Sequence, residues 1–242
     1  MKRTTYNIDK MYTYLRGFLI GANMENSLKA LQFAREKHKG QIRKDGVPYI
    51  VHPLSMACYA VALGIKDDNI IATVLLHDVV EDCDVPAEYL PVNDTIKYAV
   101  RKMTVQKLDT DVSKIETKCR YFNELLDSKE AVICKALDDN IIATVLLHDV
   151  VEGCDVPAED RYNNLADMPF ALSANAIGKN CAETELLLLP VLKAAKEKWA
   201  DLSNILFVLR TNIRTINDIL KLHYPKEYQA WFDEYDRKEE EK

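Results

Sequence analysis

The chain has 242 residues, 48% of them hydrophobic, and can therefore bury a sizeable core without disulfides or metal staples. Its net charge of -6 and pI near 5.5 argue against a broad surface for nucleic acid. No stretch is apolar for long enough to cross a bilayer, and charged residues interrupt the apolar part of the N-terminal segment. We therefore expect a cytoplasmic protein with no nucleic-acid or membrane partner.

The composition and the spacing of apolar residues favour helices. Only seven glycines and eight prolines occur among many Leu, Ala, Lys and Glu residues, which predicts an all-α fold. The first clear helix spans residues 27–37, with Ser27 as a candidate N-cap. Gly40, Gly46 and Pro48 then predict a loop, followed by a helix over residues 54–63 that Gly64 ends. His52 lies at the junction of this loop and helix.

The next helix carries the most informative side chains. Residues 70–82, IIATVLLHDVVED, are nearly all apolar until the end, which predicts a buried helix with caps among residues 67–69. His77 and Glu81 are spaced i, i+4, as are Asp78 and Asp82, so neighbouring stripes of this helix carry four polar groups. A divalent cation is a suitable partner for buried imidazole and carboxylate groups. The alternative is a helix end whose polar residues reach water.

The remaining helices follow at intervals along the chain. We predict helices over residues 95–103 and 114–126 and from Lys129 onward, with Asn93 and Asp94 as candidate caps of the first of these. Beyond Ala182 a long helical pattern continues, with a kink or break at Pro190.

An internal repeat interrupts this pattern. Residues 67–88 (copy one) recur as residues 138–159 (copy two), with Asp82 replaced by Gly153 as the only difference. A solenoid repeat preserves a pattern of residue types, whereas this copy preserves nearly every letter and occurs only twice, which indicates a tandem insertion. Residues 129–152 contain no Gly or Pro, so we predict one helix that runs through copy two to Gly153. A separate helix carrying Asp160 should follow.

Copy two also bears on assembly. It is as apolar as copy one and must be covered, either by displacing copy one or by packing against another subunit. Copy one keeps its complete HDVVED sequence, so we predict that copy two is buried in a homo-oligomer. His148 and Asp149 could form a spare metal pair, but Gly153 removes a carboxylate, which favours a structural interpretation of copy two.

Three segments in order, GQIRKDGVPYIVHP, LLHDVVED and DRYNN, resemble the HD hydrolase domain of Rel/Spo proteins. The resemblance covers residues 27–168, and the small alarmone hydrolases fit better than the long enzymes because few residues remain for a synthetase domain. It implies an HD-domain helical bundle over residues 1–170, followed by a C-terminal helical extension over residues 171–242.

The resemblance also implies roles for individual residues. A single manganese ion, or another divalent cation, would be bound by His52, His77, Asp78 and Asp160. Glu81 and Asp82 would serve the attacking water, and the nucleotide would be contacted by Arg43, Lys44 and Asn164. His38 and His223 match no part of the pattern, and we interpret them as surface or packing histidines.

Because of the insertion, two aspartates are candidates for the last metal ligand. Asp138 keeps the upstream flank KAL of the family motif, whereas Asp160 keeps the downstream flank RYNN, and we favour Asp160. The predicted activity is removal of the 3′-pyrophosphate of (p)ppGpp. The alternatives are an HD phosphohydrolase of another nucleotide, and a non-catalytic nucleotide-binding or scaffold protein inactivated by the duplication.

Overall fold

The computed structural model describes residues 7–43, 46–104, 114–152, 174–200 and 202–236. Within these ranges the chain forms helices and turns and no strand, which confirms the predicted all-α class. The chain divides into two compact units. Unit 1 comprises residues 1–109 and 124–138, and unit 2 comprises residues 110–123 and 139–242. No helix in the described ranges is both long and apolar enough to cross a membrane.

The helices are numbered in chain order and connected by short turns. They are α1 (Ile8–Gly21), α2 (Glu25–Lys37), α3 (Val51–Ala62), α4 (Asp68–Leu76), α5 (Val79–Asp82), α6 (Asp94–Met103), α7 (Lys114–Glu124), α8 (Lys129–Glu152), α9 (Ala174–Glu183), α10 (Leu189–Lys198), α11 (Leu202–His223) and α12 (Pro225–Asp236). Asn93 caps α6 as predicted, because its side chain accepts a hydrogen bond from the Ile96 amide. Gly64 follows α3 with φ of 84°, a left-handed conformation that terminates the helix as predicted.

Helix α4 lies in the core of unit 1. All of its residues from Ile70 to Leu76 are buried, and it packs against α2, α3 and α6. Asp67 is its N-cap, since the Asp67 carboxylate accepts hydrogen bonds from the Asn69 and Ile70 amides. The apolar pattern therefore predicted both the burial of this helix and its start.

The predicted continuation of this helix through residue 82 is wrong. Helix α4 ends at Leu76, His77 and Asp78 form a turn, and the short α5 follows. The Nδ1 atom of His77 donates to the Val74 carbonyl at 2.9 Å, and in a continuous helix this carbonyl accepts from the amide of Asp78. The side chain of His77 thus competes with the helical hydrogen bond at the point where the helix breaks.

The predicted N-cap of α2 is also wrong. Helix α2 begins at Glu25, so Ser27 lies inside its first turn. The carboxylate of Asp68, from α4, accepts hydrogen bonds from the amides of Asn26 (3.0 Å) and Ser27 (2.8 Å) and from the Ser27 hydroxyl (2.6 Å). The free amides at the start of α2 are therefore capped by a residue 41 positions later than Ser27.

Helix α8 runs through the beginning of copy two to Glu152, which confirms the predicted continuous helix. The division between the units falls inside α8, between Asp138 and Asp139. Asn140 is fully buried in unit 2, and its side-chain amide donates to the Ile205 carbonyl at 3.2 Å. The start of copy two therefore packs on α11 of its own chain, an arrangement that the sequence analysis did not consider. The following helix predicted to carry Asp160 lies outside the described residues, and homo-oligomer formation stays a prediction.

Unit 2 is held together by packing among the C-terminal helices. The predicted break at Pro190 is present as a π-helical turn over Thr184–Leu188, because proline has no amide to donate to the carbonyl of Leu186. Gly178 of α9 lies directly against the indole ring of Trp231 from α12, where a Cβ atom would collide with the ring. The indole nitrogen donates to the side chain of Asn175 at 2.8 Å.

The cross-helix cap made by Asp68 leads to a stability prediction. Burial alone would raise the pKa of Asp68, but its hydrogen bonds from Ser27 and Asn26 lower that pKa below its ordinary value. The stabilisation is then present above the unfolded pKa of about 4 and is lost as the pH falls through the lower folded pKa. At pH 7 we expect Asp68→Ala to reduce the free energy of unfolding by about 1–2 kcal/mol.

Urea denaturation at pH 7 and pH 3 measures this effect. The control is Asp9→Ala, because the Asp9 side chain is 85% exposed in its ion pair with Arg35. This control should cost at most about 0.5 kcal/mol. Equal losses for the two variants at pH 7 would contradict the assignment of Asp68 as a cap.

Candidate metal centre

Three separate segments of unit 1 bring imidazole and carboxylate groups together. His52 is the second residue of α3, His77 and Asp78 form the turn between α4 and α5, and Asp138 lies on α8. The Nε2 atom of His77 is 3.1 Å from Oδ1 of Asp78. The Nε2 atom of His52 is 3.4 Å from Oδ1 of Asp138 and 3.6 Å from Oδ2 of Asp78.

The group has the donor atoms expected of a metal site. His52, His77 and Asp138 each offer a ligand atom, and these atoms lie within 4.8 Å of one another. No other described residues form such a group of three histidine, cysteine or acidic side chains. Imidazole nitrogen and carboxylate oxygen suit Zn, Mn, Fe and related divalent ions. These residues therefore fit a divalent cation, with Asp78 beside them as a further carboxylate.

The orientation of His77 is set by the protein backbone. Its side chain is only 4% exposed, and its Nδ1 atom lies 2.9 Å from the Val74 carbonyl. Because a carbonyl can only accept, the Nδ1 atom must carry the hydrogen. The Nε2 atom then faces the carboxylates, as in metal-binding histidines whose second nitrogen donates to a backbone carbonyl.

The electrostatics of this site favour a cation. Burial lowers the pKa of His77, but the carboxylates of Asp78 and Asp138 outweigh it and raise that pKa to about 9. Burial likewise works against ionisation of Asp78, yet His77, His52 and the hydrogen bond from Tyr49 bring its pKa to about 2. Either a protonated His77 or a divalent ion would balance these buried negative charges.

Two further side chains donate hydrogen bonds to these carboxylates, and neither was predicted as a site residue from the sequence. The Tyr49 hydroxyl donates to Oδ2 of Asp78 at 2.7 Å. The Lys135 ammonium donates to Oδ2 of Asp138 at 3.0 Å, and together with His52 and His77 it lowers the pKa of Asp138 against the effect of burial. Tyr49 lies in the PYIVHP motif and Lys135 in the KAL motif. Their closeness in sequence to His52 and Asp138 is the feature from which a role at the site could have been predicted.

The predicted catalytic carboxylates lie next to this centre along the chain. Glu81 and Asp82 belong to α5, which starts directly after Asp78, and both are exposed. The Asp82 amide donates to the Asp78 carbonyl at 2.8 Å, so one helical turn separates the two residues. This position leaves the Glu81 and Asp82 side chains accessible to water.

The loop before α3 carries the predicted nucleotide contacts. Arg43 is exposed, and its backbone pairs with Val47 in a tight turn where Gly46 has φ of 78°. Lys44, also predicted to contact the nucleotide, lies outside the described residues. The loop is tied to α5, because the Gln41 side chain donates to the Asp82 carbonyl at 2.8 Å.

The structure brings Asp138 to the centre, the aspartate that the sequence analysis left as the alternative to Asp160. Asp160 and Asn164 lie outside the described residues, so their predicted roles stay predictions. His38 is buried, with its Nδ1 atom 2.6 Å from Oε1 of Gln41, which confirms a packing role for it. The side chain of His223 is not among those described.

Comparison with known proteins agrees with this geometry. Residues 30–116 match the family model of the HD domain. The chain is 36% identical over 125 residues to the guanosine-3′,5′-bis(diphosphate) 3′-pyrophosphohydrolase of Aquifex aeolicus, covering 52% of this chain and 17% of that protein. It is 34% identical over 137 residues to the protein of the same name from Vibrio cholerae, covering 57% of this chain and 19% of the relative.

The bifunctional (p)ppGpp synthase/hydrolase SpoT of Escherichia coli is 31% identical over 106 residues, which cover 43% of this chain and 15% of SpoT. The matches thus span less than a fifth of the length of each of these relatives. The family-model match, over residues 30–116, includes His52, His77 and Asp78. Residues 30–116 thus match an HD domain, and the chain is similar over about half of its length to these relatives, which confirms the resemblance predicted from the sequence.

Proposed function

We propose that this chain is a metal-dependent phosphohydrolase that removes the 3′-pyrophosphate of (p)ppGpp. The observation that carries the proposal is the convergence of His52, His77 and Asp138 within 4.8 Å, with Asp78 beside them. Support for the substrate comes from the relatives, which are named guanosine-3′,5′-bis(diphosphate) 3′-pyrophosphohydrolases.

In the proposed centre, His52, His77, Asp78 and Asp138 hold one divalent ion, with manganese as the expected metal. Such an ion supplies Lewis acidity, which promotes ionisation of water near neutral pH and offsets charge on the phosphoryl group. Glu81 or Asp82 orients the attacking water and accepts its proton, since both carboxylates are exposed one turn or less from Asp78. The released pyrophosphate then leaves GDP or GTP as the second product.

The nucleotide would bind toward the loop that precedes α3. Arg43 is exposed there, and a guanidinium can pair with phosphate or stack on a purine base. Lys44 and Asn164 complete the proposed contacts. Hydrolysis of another nucleotide phosphoester would use the same centre, so the substrate must be decided by assay.

Removal of the metal should abolish turnover, because both activation of water and charge neutralisation depend on it. The purified chain, treated with chelator and then reloaded with Mn²⁺, is assayed for pyrophosphate release from ppGpp and pppGpp and for orthophosphate release from a nicotinamide dinucleotide phosphate. We expect release from ppGpp and pppGpp that requires Mn²⁺. Undiminished release after exhaustive chelation would refute the metal mechanism, and bound metal without turnover of any nucleotide would favour a binding or scaffold protein.

The choice between the two aspartates can be tested directly. Asp138→Asn should weaken Mn²⁺ binding and lower kcat/KM by more than about 100-fold, since loss of an outer-shell partner alone costs 10–100-fold at metal sites. Asp160→Asn is the matched variant and should keep Mn²⁺ affinity within about threefold of the unmodified chain. Isothermal titration calorimetry with Mn²⁺ measures the affinity of both variants. Loss of binding only in Asp160→Asn would assign the last ligand to Asp160, after copy two.

The duplication supplies a matched control for the histidine as well. His77 and His148 occupy the same position in the two copies of one sequence. We expect His77→Ala to abolish metal binding and turnover, because His77 belongs to the proposed ligand set, and His148→Ala to retain most of both. The opposite outcome in the same binding and turnover measurements would assign the working site to copy two.

A further inference from the structure

The Tyr49 side chain links the proposed metal centre to the loop before α3. Its hydroxyl donates to Oδ2 of Asp78 at 2.7 Å, a short contact for a hydrogen bond to an ionised carboxylate. The other oxygen of Asp78, Oδ1, is 3.1 Å from Nε2 of His77. Tyr49 therefore donates to the oxygen that does not face His77, and Nε2 of His52 lies 3.6 Å from that same oxygen.

The Tyr49 ring is itself held in place by a buried histidine. The rings of His38 and Tyr49 stack with centroids 4.8 Å apart and an interplanar angle of 18°. His38 is 2% exposed, and its Nδ1 atom lies 2.6 Å from Oε1 of Gln41. The amide nitrogen of Gln41 donates to the Asp82 carbonyl at 2.8 Å. Two contacts therefore fix the Tyr49 ring whose hydroxyl donates to Asp78. One is its stacking on His38, and the other is the hydrogen bond from Gln41 that joins the loop to α5.

Asp78 has particular need of such a partner because it lies outside regular helix. It belongs to the turn between α4 and α5, where the regular helical backbone, which fixes the direction of side chains, is interrupted. Carboxylates near a metal act best when outer-shell hydrogen bonds fix their orientation. The Tyr49 hydroxyl is well placed to provide this orientation.

We infer that Tyr49 is a positioning residue, which holds the Asp78 carboxylate in the orientation that binds the metal and couples the loop carrying Arg43 to that centre. The inference rests on the proposed function, since it requires that Asp78 bind a metal ion. Tyr49 itself does not touch the metal or the substrate in this account. Its contribution is made through Asp78.

The Tyr49→Phe variant tests this inference, because it removes one oxygen and keeps the ring that stacks on His38. The matched control is Tyr59→Phe on α3, a half-buried tyrosine whose hydroxyl makes no hydrogen bond to a described residue. Circular dichroism and thermal unfolding first establish that both variants are folded. Calorimetric titration with Mn²⁺ then gives the affinities, and the d–d absorption of the Co²⁺-loaded proteins reports on the ligands at saturation.

We expect Tyr49→Phe to bind Mn²⁺ about 10–100-fold more weakly and to alter the Co²⁺ spectrum at saturation, with Tyr59→Phe unchanged in both. If Tyr49→Phe binds Mn²⁺ within twofold of the unmodified chain, the inference is overturned. A loss of affinity with an unchanged Co²⁺ spectrum also overturns it, because this result indicates a general effect on the fold. If the unmodified chain binds neither ion, the proposed function fails, and this outcome is distinct from the other two.

Discussion

Asp78 and Asp138 are mostly buried carboxylates in the helical bundle of unit 1, and partners from several elements of this unit meet their charge. An isolated buried carboxylate is strongly unfavourable, so hydrogen-bond donors and positive charge must accompany it. Here Tyr49 and Lys135 donate to one oxygen of each, and His52 and His77 face the other side of the pair. These partners come from the loop before α3, from α3, from the turn after α4 and from α8. The tertiary structure of unit 1 is thus what allows both charges to remain.

The two copies of the duplicated sequence show how strongly context determines local structure. In copy one, Asp67 is an extended N-cap, α4 ends at Leu76, and His77 and Asp78 form a turn. In copy two, the backbone is helical from Asp138 through Glu152 without a break. Copy one follows the loop that begins with Gly64 after α3, so its first residue caps a new helix, whereas copy two continues a helix that began at Lys129. The helix propensities of the two copies are the same, so the flanking chain and tertiary contacts decide the outcome.

The position of the insertion has a consequence for the active site. In the family motif, the aspartate and the arginine and asparagine that follow it are adjacent on one helix. In this chain Asp138 lies in α8 beside His52, and the RYNN sequence that contains Asn164 follows only after copy two. Asp138 is therefore in place at the candidate metal centre, whereas Asn164, which the resemblance predicts to contact the nucleotide, lies farther along the chain.

The sequence by itself determined the all-α class, the buried α4 with a cap among residues 67–69, the end of α3 before Gly64, the irregularity before Pro190, and the HD-type motifs. These features depend on local periodicity, on backbone chemistry or on short motifs, all of which can be seen in consecutive residues. Only the tertiary structure decided that Asp68 caps α2, that the helix breaks at His77, that Tyr49 and Lys135 hold the carboxylates, and that Asp138 lies at the centre. Each of these depends on a hydrogen bond or charge pair whose partners compete with regular helix or are distant in sequence. The same sequence therefore ends a helix at Leu76 in copy one and continues as a helix through Glu152 in copy two.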